Sequence, residues 1–166
     1  MKRLVLLAAL CATGSALADH DLVVRARLAG TNEVPAVSSN ARGDFEVRIA
    51  RDGLSISYTL DYSGLQGQVR QAHIHVAQRN VNGAIVLWLC GSATNPGPVG
   101  TQACPATGKV TGTLTAADLQ VSATQQVTTF ANVIEAIQDG VAYANVHTDL
   151  SPGGEIRGQL GSHSGH

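Results

Sequence analysis

Apolar and polar residues alternate with a period of two over most of this chain, the pattern of half-buried strands. Leu22, Val24, Ala26 and Leu28 alternate with Val23, Arg25 and Arg27. Phe45, Val47 and Ile49 alternate with Asp44, Glu46 and Arg48, and Leu54, Ile56, Tyr58 and Leu60 with Ser55, Ser57 and Thr59. Asp52-Gly53, between the second and third of these runs, predicts a tight hairpin turn. Further strands are predicted over 69–77, 109–114, 141–147 and 155–160. The run 84–90, Ala-Ile-Val-Leu-Trp-Leu-Cys, is almost wholly apolar and predicts a central strand covered on both faces. Thr115 to Asp118 has the form of a helix start, with Thr115 as N-cap. Phe130, Val133, Ile134 and Ile137 fall at helical spacing, with Gly140 placed to end the turn, and predict a helix packed over the end of a sheet. About eight short strands with one or two short helices predict an all-β fold, an antiparallel β-sandwich or Greek-key barrel, in one domain.

Composition narrows the function classes. The chain is 44% hydrophobic and 14% charged, so it can bury a core and is not a disordered tail. A net charge of −1, with no basic cluster after the N-terminal segment, argues against nucleic acid and against an electrostatic membrane patch.

The N-terminus has the three parts of an export signal over 1–18. Lys2 and Arg3 are the basic start, Leu4 to Ala12 the apolar run, and Ala16-Leu17-Ala18 the small-x-small cleavage site. The apolar run is too short for a stable membrane anchor. Leu10 is too bulky for the residue before a lipidated Cys11. A soluble periplasmic or secreted protein is the expectation. Cleavage leaves Cys90 and Cys104, which in an oxidising compartment predict a disulfide. They lack the close spacing of thiolate metal sites. The tail 161–166 is polar and predicted to be disordered.

Strand parity then isolates the candidate chemistry. In Gln71-Ala72-His73-Ile74-His75-Val76, the two histidines share the face away from Ile74 and Val76. By the same parity Tyr143, Asn145 and His147 share one face, and Glu155, Arg157 and Gln159 face outward, a polar surface of the sheet. Of six histidines, His20, His163 and His166 lie near the termini, and His73, His75 and His147 all fall on this polar parity. Three imidazoles suit copper or zinc, and they do not suit calcium or magnesium. Asn145, Glu155 or Gln159 would then fix the imidazole tautomers. The competing reading is that the histidines hydrogen-bond to neighbours and support the turn at 151–154. Glu155 and Arg157 would form a structural ion pair, and Tyr143 would pack the sandwich. No Gly-x-Ser-x-Gly elbow or phosphate-binding loop is present, and no catalytic residue is assigned.

Five ordered blocks carry a family resemblance. They are Gly30-Thr-Asn-Glu33-Val34-Pro35, Ala72-His73-Ile74-His75, Asn82-Gly83, Tyr143-Ala144-Asn145-Val146-His147-Thr148 and Pro152-Gly153-Gly154-Glu155-Ile156-Arg157-Gly158-Gln159. Together they resemble the CHRD domain over about residues 22–160. The resemblance implies a β-rich extracellular or periplasmic domain and assigns no activity. The Cys90–Cys104 segment is not among the blocks. A second similarity, by fold-level analogy, is to copper–zinc superoxide dismutase, where a His-x-His pair on a β-strand binds copper. His73 and His75 would match that pair and His147 a further ligand. No histidine between His75 and His147 is available to bridge two metals, and the Gly-Asp zinc-loop pattern is absent. Three readings follow. The first is a copper or zinc site of His73, His75 and His147, supported by Asn145, Glu155 and Arg157, for metal handling or extracellular binding rather than turnover. The second is a metal-free interaction module whose protein partner the sequence does not identify. The third is a copper oxidoreductase or dismutase-like enzyme.

Overall fold

The computed structural model describes residues 21–161. Residues 1–20 and 162–166, with the expected signal segment, Cys11, His20 and most of the expected tail, lie outside the described residues. The elements are β1 (Leu22–Ala29), β2 (Arg42–Ile49), β3 (Ser55–Ser63), β4 (Val69–Val76), β5 (Ala84–Cys90), β6 (Gly108–Thr115), α1 (Phe130–Gln138), β7 (Ala142–Thr148) and β8 (Ile156–Gln159). Eight antiparallel strands form a single sheet in the order β5-β4-β7-β8-β1-β2-β3-β6. It curls into a nearly closed barrel in which the two end strands, β5 and β6, approach each other. Of the two predicted architectures, this is the Greek-key barrel, because β7 and β8 insert between β4 and β1.

The alternation predicted for β1, β2 and β3 is present, with Leu28, Phe45, Val47, Ile56 and Leu60 buried in one core. Their register places Ile49 opposite Ile56 and Asp52-Gly53 at the centre of the turn. There Gly53 has a φ of +66°, and the Asp52 carboxylate accepts from the Leu54 amide. The Thr115–Asp118 helix start is a single 3-10 turn over Ala116–Asp118, held by a reciprocal cap between Thr115 and Asp118. Helix α1 starts at a second such cap, between Thr129 and Asn132, and buries Phe130, Val133 and Ile137.

Two expectations are corrected. Strand β5 is not central but lies at one end of the sheet. Its apolar run is explained by the seam it faces. Tyr58 of β3 donates its hydroxyl to the Leu89 carbonyl at 2.6 Å, and Gln102 donates to both Tyr58 Oη and the Thr111 carbonyl. Gly112 of β6 lies directly opposite Tyr58, and any side chain there would collide with the phenol ring. The Cys90–Cys104 disulfide closes the segment that carries Gln102. This segment bridges the gap that backbone pairing leaves open.

The second correction concerns the polar parity of β4, β7 and β8, which is buried rather than exposed. Every residue of β7 and β8 is buried. Two loops close over this outer face. Asn32 donates to the Arg157 carbonyl, Asn82 donates to the Val34 carbonyl, and Arg157 donates to the Val81 carbonyl. The sheet thus has a second buried layer outside the barrel interior.

Replacing Cys90 and Cys104 together by alanine should lower the unfolding free energy by about 3 kcal/mol. Tyr58→Phe should lower it by about 1–3 kcal/mol by leaving the Leu89 carbonyl without its donor. Urea denaturation followed by circular dichroism measures both; unchanged midpoints would mean that the seam contributes nothing to stability.

Candidate metal centre

Strand β4 pairs with β5 on one side and β7 on the other. Its register with β7 sets His73 opposite Asn145, His75 opposite Tyr143 and Gln71 opposite His147. His147 is therefore a diagonal neighbour of His73 on the same face, within reach of an imidazole. The three rings meet. One nitrogen from each lies within 4.8 Å of the others, and His73 Nδ1 is 3.3 Å from His147 Nε2. A point within about 3 Å of all three nitrogens follows from that spacing, so the rings must draw together to reach the bond lengths of about 2.0–2.1 Å that zinc makes to imidazole. His73 is fully buried, and His75 and His147 are each 6% exposed.

Backbone carbonyls fix two tautomers. His75 Nδ1 lies 3.0 Å from the Gly83 carbonyl, and His147 Nδ1 lies 2.9 Å from the Pro152 carbonyl. A carbonyl only accepts, so each Nδ1 carries the proton and each neutral ring presents a lone pair at Nε2. His75 Nε2 and His73 Nε2 are buried with no hydrogen-bond partner. Burial pushes the His75 imidazolium down to about 4 and His73 to about 2, the latter with added repulsion from His147 and His75. Burial lowers His147 as well, against the bond to Pro152. The cluster is a set of neutral imidazoles at neutral pH.

Aromatic packing holds the rings. His75 stacks on Tyr143 with the ring planes 1° apart and centroids 4.6 Å apart, while the Arg157 guanidinium lies 3.4 Å from the same phenol centroid. One ring face cannot hold both, so Tyr143 is sandwiched between His75 and Arg157. Trp88 of β5 meets His73 edge-on at 4.2 Å. Gly97 of the disulfide loop lies against the indole, where a Cβ would be 2.6 Å from the ring.

Of the expected supporting residues, Asn145 touches the cluster, with Oδ1 3.0 Å from His147 Nε2. Arg157 acts through Tyr143. Glu155 accepts from Ser39, the Gln66 amide and Thr148, so it braces the turn that follows His147. Glu155 and Arg157 do not share these partners, and the expected ion pair between them is replaced by two separate networks. Gln159 donates to the Ala77 and Gly140 carbonyls, away from the histidines.

Glu33 was not singled out from the sequence as a site residue. It is 6% exposed, and its Oε1 has no hydrogen-bond partner. Burial raises its carboxyl to about 7, opposed by the Arg157 charge and the Asn145 side chain. It occupies the space over Gly154, where a Cβ would lie 2.2 Å from Glu33 Oε1 and 2.8 Å from Asn145 Nδ2. Its one sequence signal is its place in the Gly-Thr-Asn-Glu-Val-Pro block, which parity cannot interpret because the block is a turn.

A cavity of about 240 Å³ bordered by Arg70, Gln71, Asn95 and Pro152 touches the cluster at His147. A larger concavity of about 860 Å³ lies over the charged outer face of β1, β2 and β3 and contains none of the three histidines. The three histidines thus border a small pocket at His147 and lie apart from the largest concavity of the described residues.

No curated protein and no solved structure matches the chain. The family model for the CHRD domain matches residues 24–160. That span includes all eight strands except the start of β1, together with the three histidines, Glu33 and the disulfide, and the protein belongs to the CHRD domain family.

Proposed function

We propose that this protein is an exported CHRD-domain module that binds one copper or zinc ion through His73, His75 and His147, with a role in metal handling or metal-stabilised extracellular binding. The observation that carries the reading is the pairing of His75 and His147 with backbone carbonyls at Nδ1, which leaves both Nε2 lone pairs directed into a buried space. His75 Nε2 is a buried acceptor without a donor, which is costly, and a cation removes the cost. Imidazole nitrogen is the donor that zinc and copper share. A metal-free cluster satisfies less. Donation from His73 Nδ1 to His147 Nε2 still leaves the His75 Nε2 lone pair without a partner. The disulfide suits an oxidising compartment, and no helix among the described residues is long and apolar enough to cross a membrane.

Trp88 is the only tryptophan of the chain and borders His73, so its fluorescence reports on the site. In metal-stripped protein lacking residues 1–20 and 162–166, one equivalent of copper(II) should quench Trp88 and give a nitrogen-ligated paramagnetic resonance signal. Both effects should disappear in His73→Ala. Absence of stoichiometric binding in that protein would overturn the proposal.

The depressed pKa values set the pH profile. Protons compete for a surface histidine near pH 6.5, whereas His75 here takes its proton only near pH 4. Zinc affinity measured by competition with a chelator should therefore lose little to imidazole protonation between pH 8 and about 5 and fall as the pH drops through about 4. A modest weakening near pH 7 should accompany protonation of Glu33 and vanish in Glu33→Gln. The same histidine shifts should make the metal-free fold lose stability as the pH falls from about 6.5 towards 4, because unfolded imidazoles then take up protons that the folded ones refuse.

A further inference from the structure

We infer that Asn145 is a direct fourth ligand of the proposed metal, through Oδ1, and that the centre is a closed set of three imidazole nitrogens and one amide oxygen. The inference rests on the three-histidine reading and goes beyond it by fixing the coordination number and the class of ion. Asn145 is 1% exposed, and its Oδ1 lies 3.0 Å from His147 Nε2. The single proton of neutral His147 is held at Nδ1 by the Pro152 carbonyl. Nitrogen and oxygen therefore face each other as two acceptors, a contact that repels unless a cation serves both.

Two spacings at His147 are those of a coordination shell, while the ligand nitrogens as a set spread to within 4.8 Å of one another, so the rings draw together on binding. Ligand atoms around a tetrahedral ion with bonds of about 2.0–2.1 Å sit about 3.3 Å apart. His73 Nδ1 and Asn145 Oδ1 lie 3.3 and 3.0 Å from His147 Nε2. A reversed Asn145 amide would let Nδ2 donate to His147. It would also turn the amide oxygen towards the space over Gly154, which the Glu33 carboxylate fills. Glu33 is thus a positioning residue that selects the sense of the amide. The register of β4 and β7 supplies the rest, because Asn145 lies directly opposite His73.

A hard amide oxygen beside three imidazoles suits a borderline divalent ion, zinc or copper(II), over the softer copper(I). Four protein donors also leave no vacant position. Structural zinc sites are closed in this way, while catalytic ones keep a position for water or substrate.

Cobalt(II) and azide test the inference. Cobalt absorbs strongly in the visible when four-coordinate, and azide enters a centre only where a position is open or held by water. The wild-type protein should bind one cobalt ion with an intense spectrum that azide leaves unchanged. Asn145→Ala should still bind one ion, with affinity lower by about tenfold or more, and its spectrum should shift on addition of azide. Asn145→Asp, which restores an oxygen donor, should again be insensitive to azide. Loss of affinity alone does not separate a ligand from a supporting residue, since removal of a support also costs about 10–100-fold. Azide access does separate them. A wild-type spectrum that responds to azide would overturn the inference while leaving the three-histidine site intact. Failure of the wild-type protein to bind cobalt would instead remove both. The wild-type measurement decides the matter even where Asn145→Ala does not fold.

Discussion

The outer layer depends on one constraint: three imidazoles are removed from water on the face of β4 and β7 that points away from the barrel interior. Desolvation holds them neutral, and the Gly83 and Pro152 carbonyls decide which nitrogen of His75 and His147 keeps its proton. Much of the surrounding packing bears on this. Tyr143 and Arg157 stack over His75, Trp88 covers His73, and the loops near Glu33 and Asn82 close above the strands. Without such cover the same residues would be an ordinary polar sheet face, with histidines titrating near their usual value.

The barrel itself explains how that cover is positioned. The sheet does not close by backbone pairing alone, and the disulfide-bonded segment fills the seam with Gln102 while resting Gly97 on Trp88. One segment thus serves both the barrel and the histidine layer. Disulfide and histidine cluster are joined through β5, because Cys90 lies opposite Ala72, next to His73.

Period-two alternation was enough to read the barrel face of the strands, because burial on a single side imposes that pattern directly. Parity also grouped His73, His75, Asn145 and His147. It could not show that this polar face is itself buried, since loops far apart in sequence cover it. The apolar run of β5 misled for a related reason. An end strand that faces a seam and a disulfide loop needs apolar residues much as a central strand does. Glu33 escaped notice because it reaches the site from a turn, where no periodicity applies. The pairing of Glu155 with Arg157 failed because a shared face does not imply contact when each side chain finds nearer partners in the covering loops.

Nitrogen nuclear magnetic resonance on histidine-labelled protein addresses the central claim at the atoms concerned. In the metal-free protein at neutral pH, His75 and His147 should be neutral with the proton on Nδ1. One equivalent of zinc should shift the Nε2 resonances of both while Nδ1 stays protonated. Imidazole resonances that remain unchanged by zinc, or a proton found on Nε2 of either ring before zinc is added, would contradict the account.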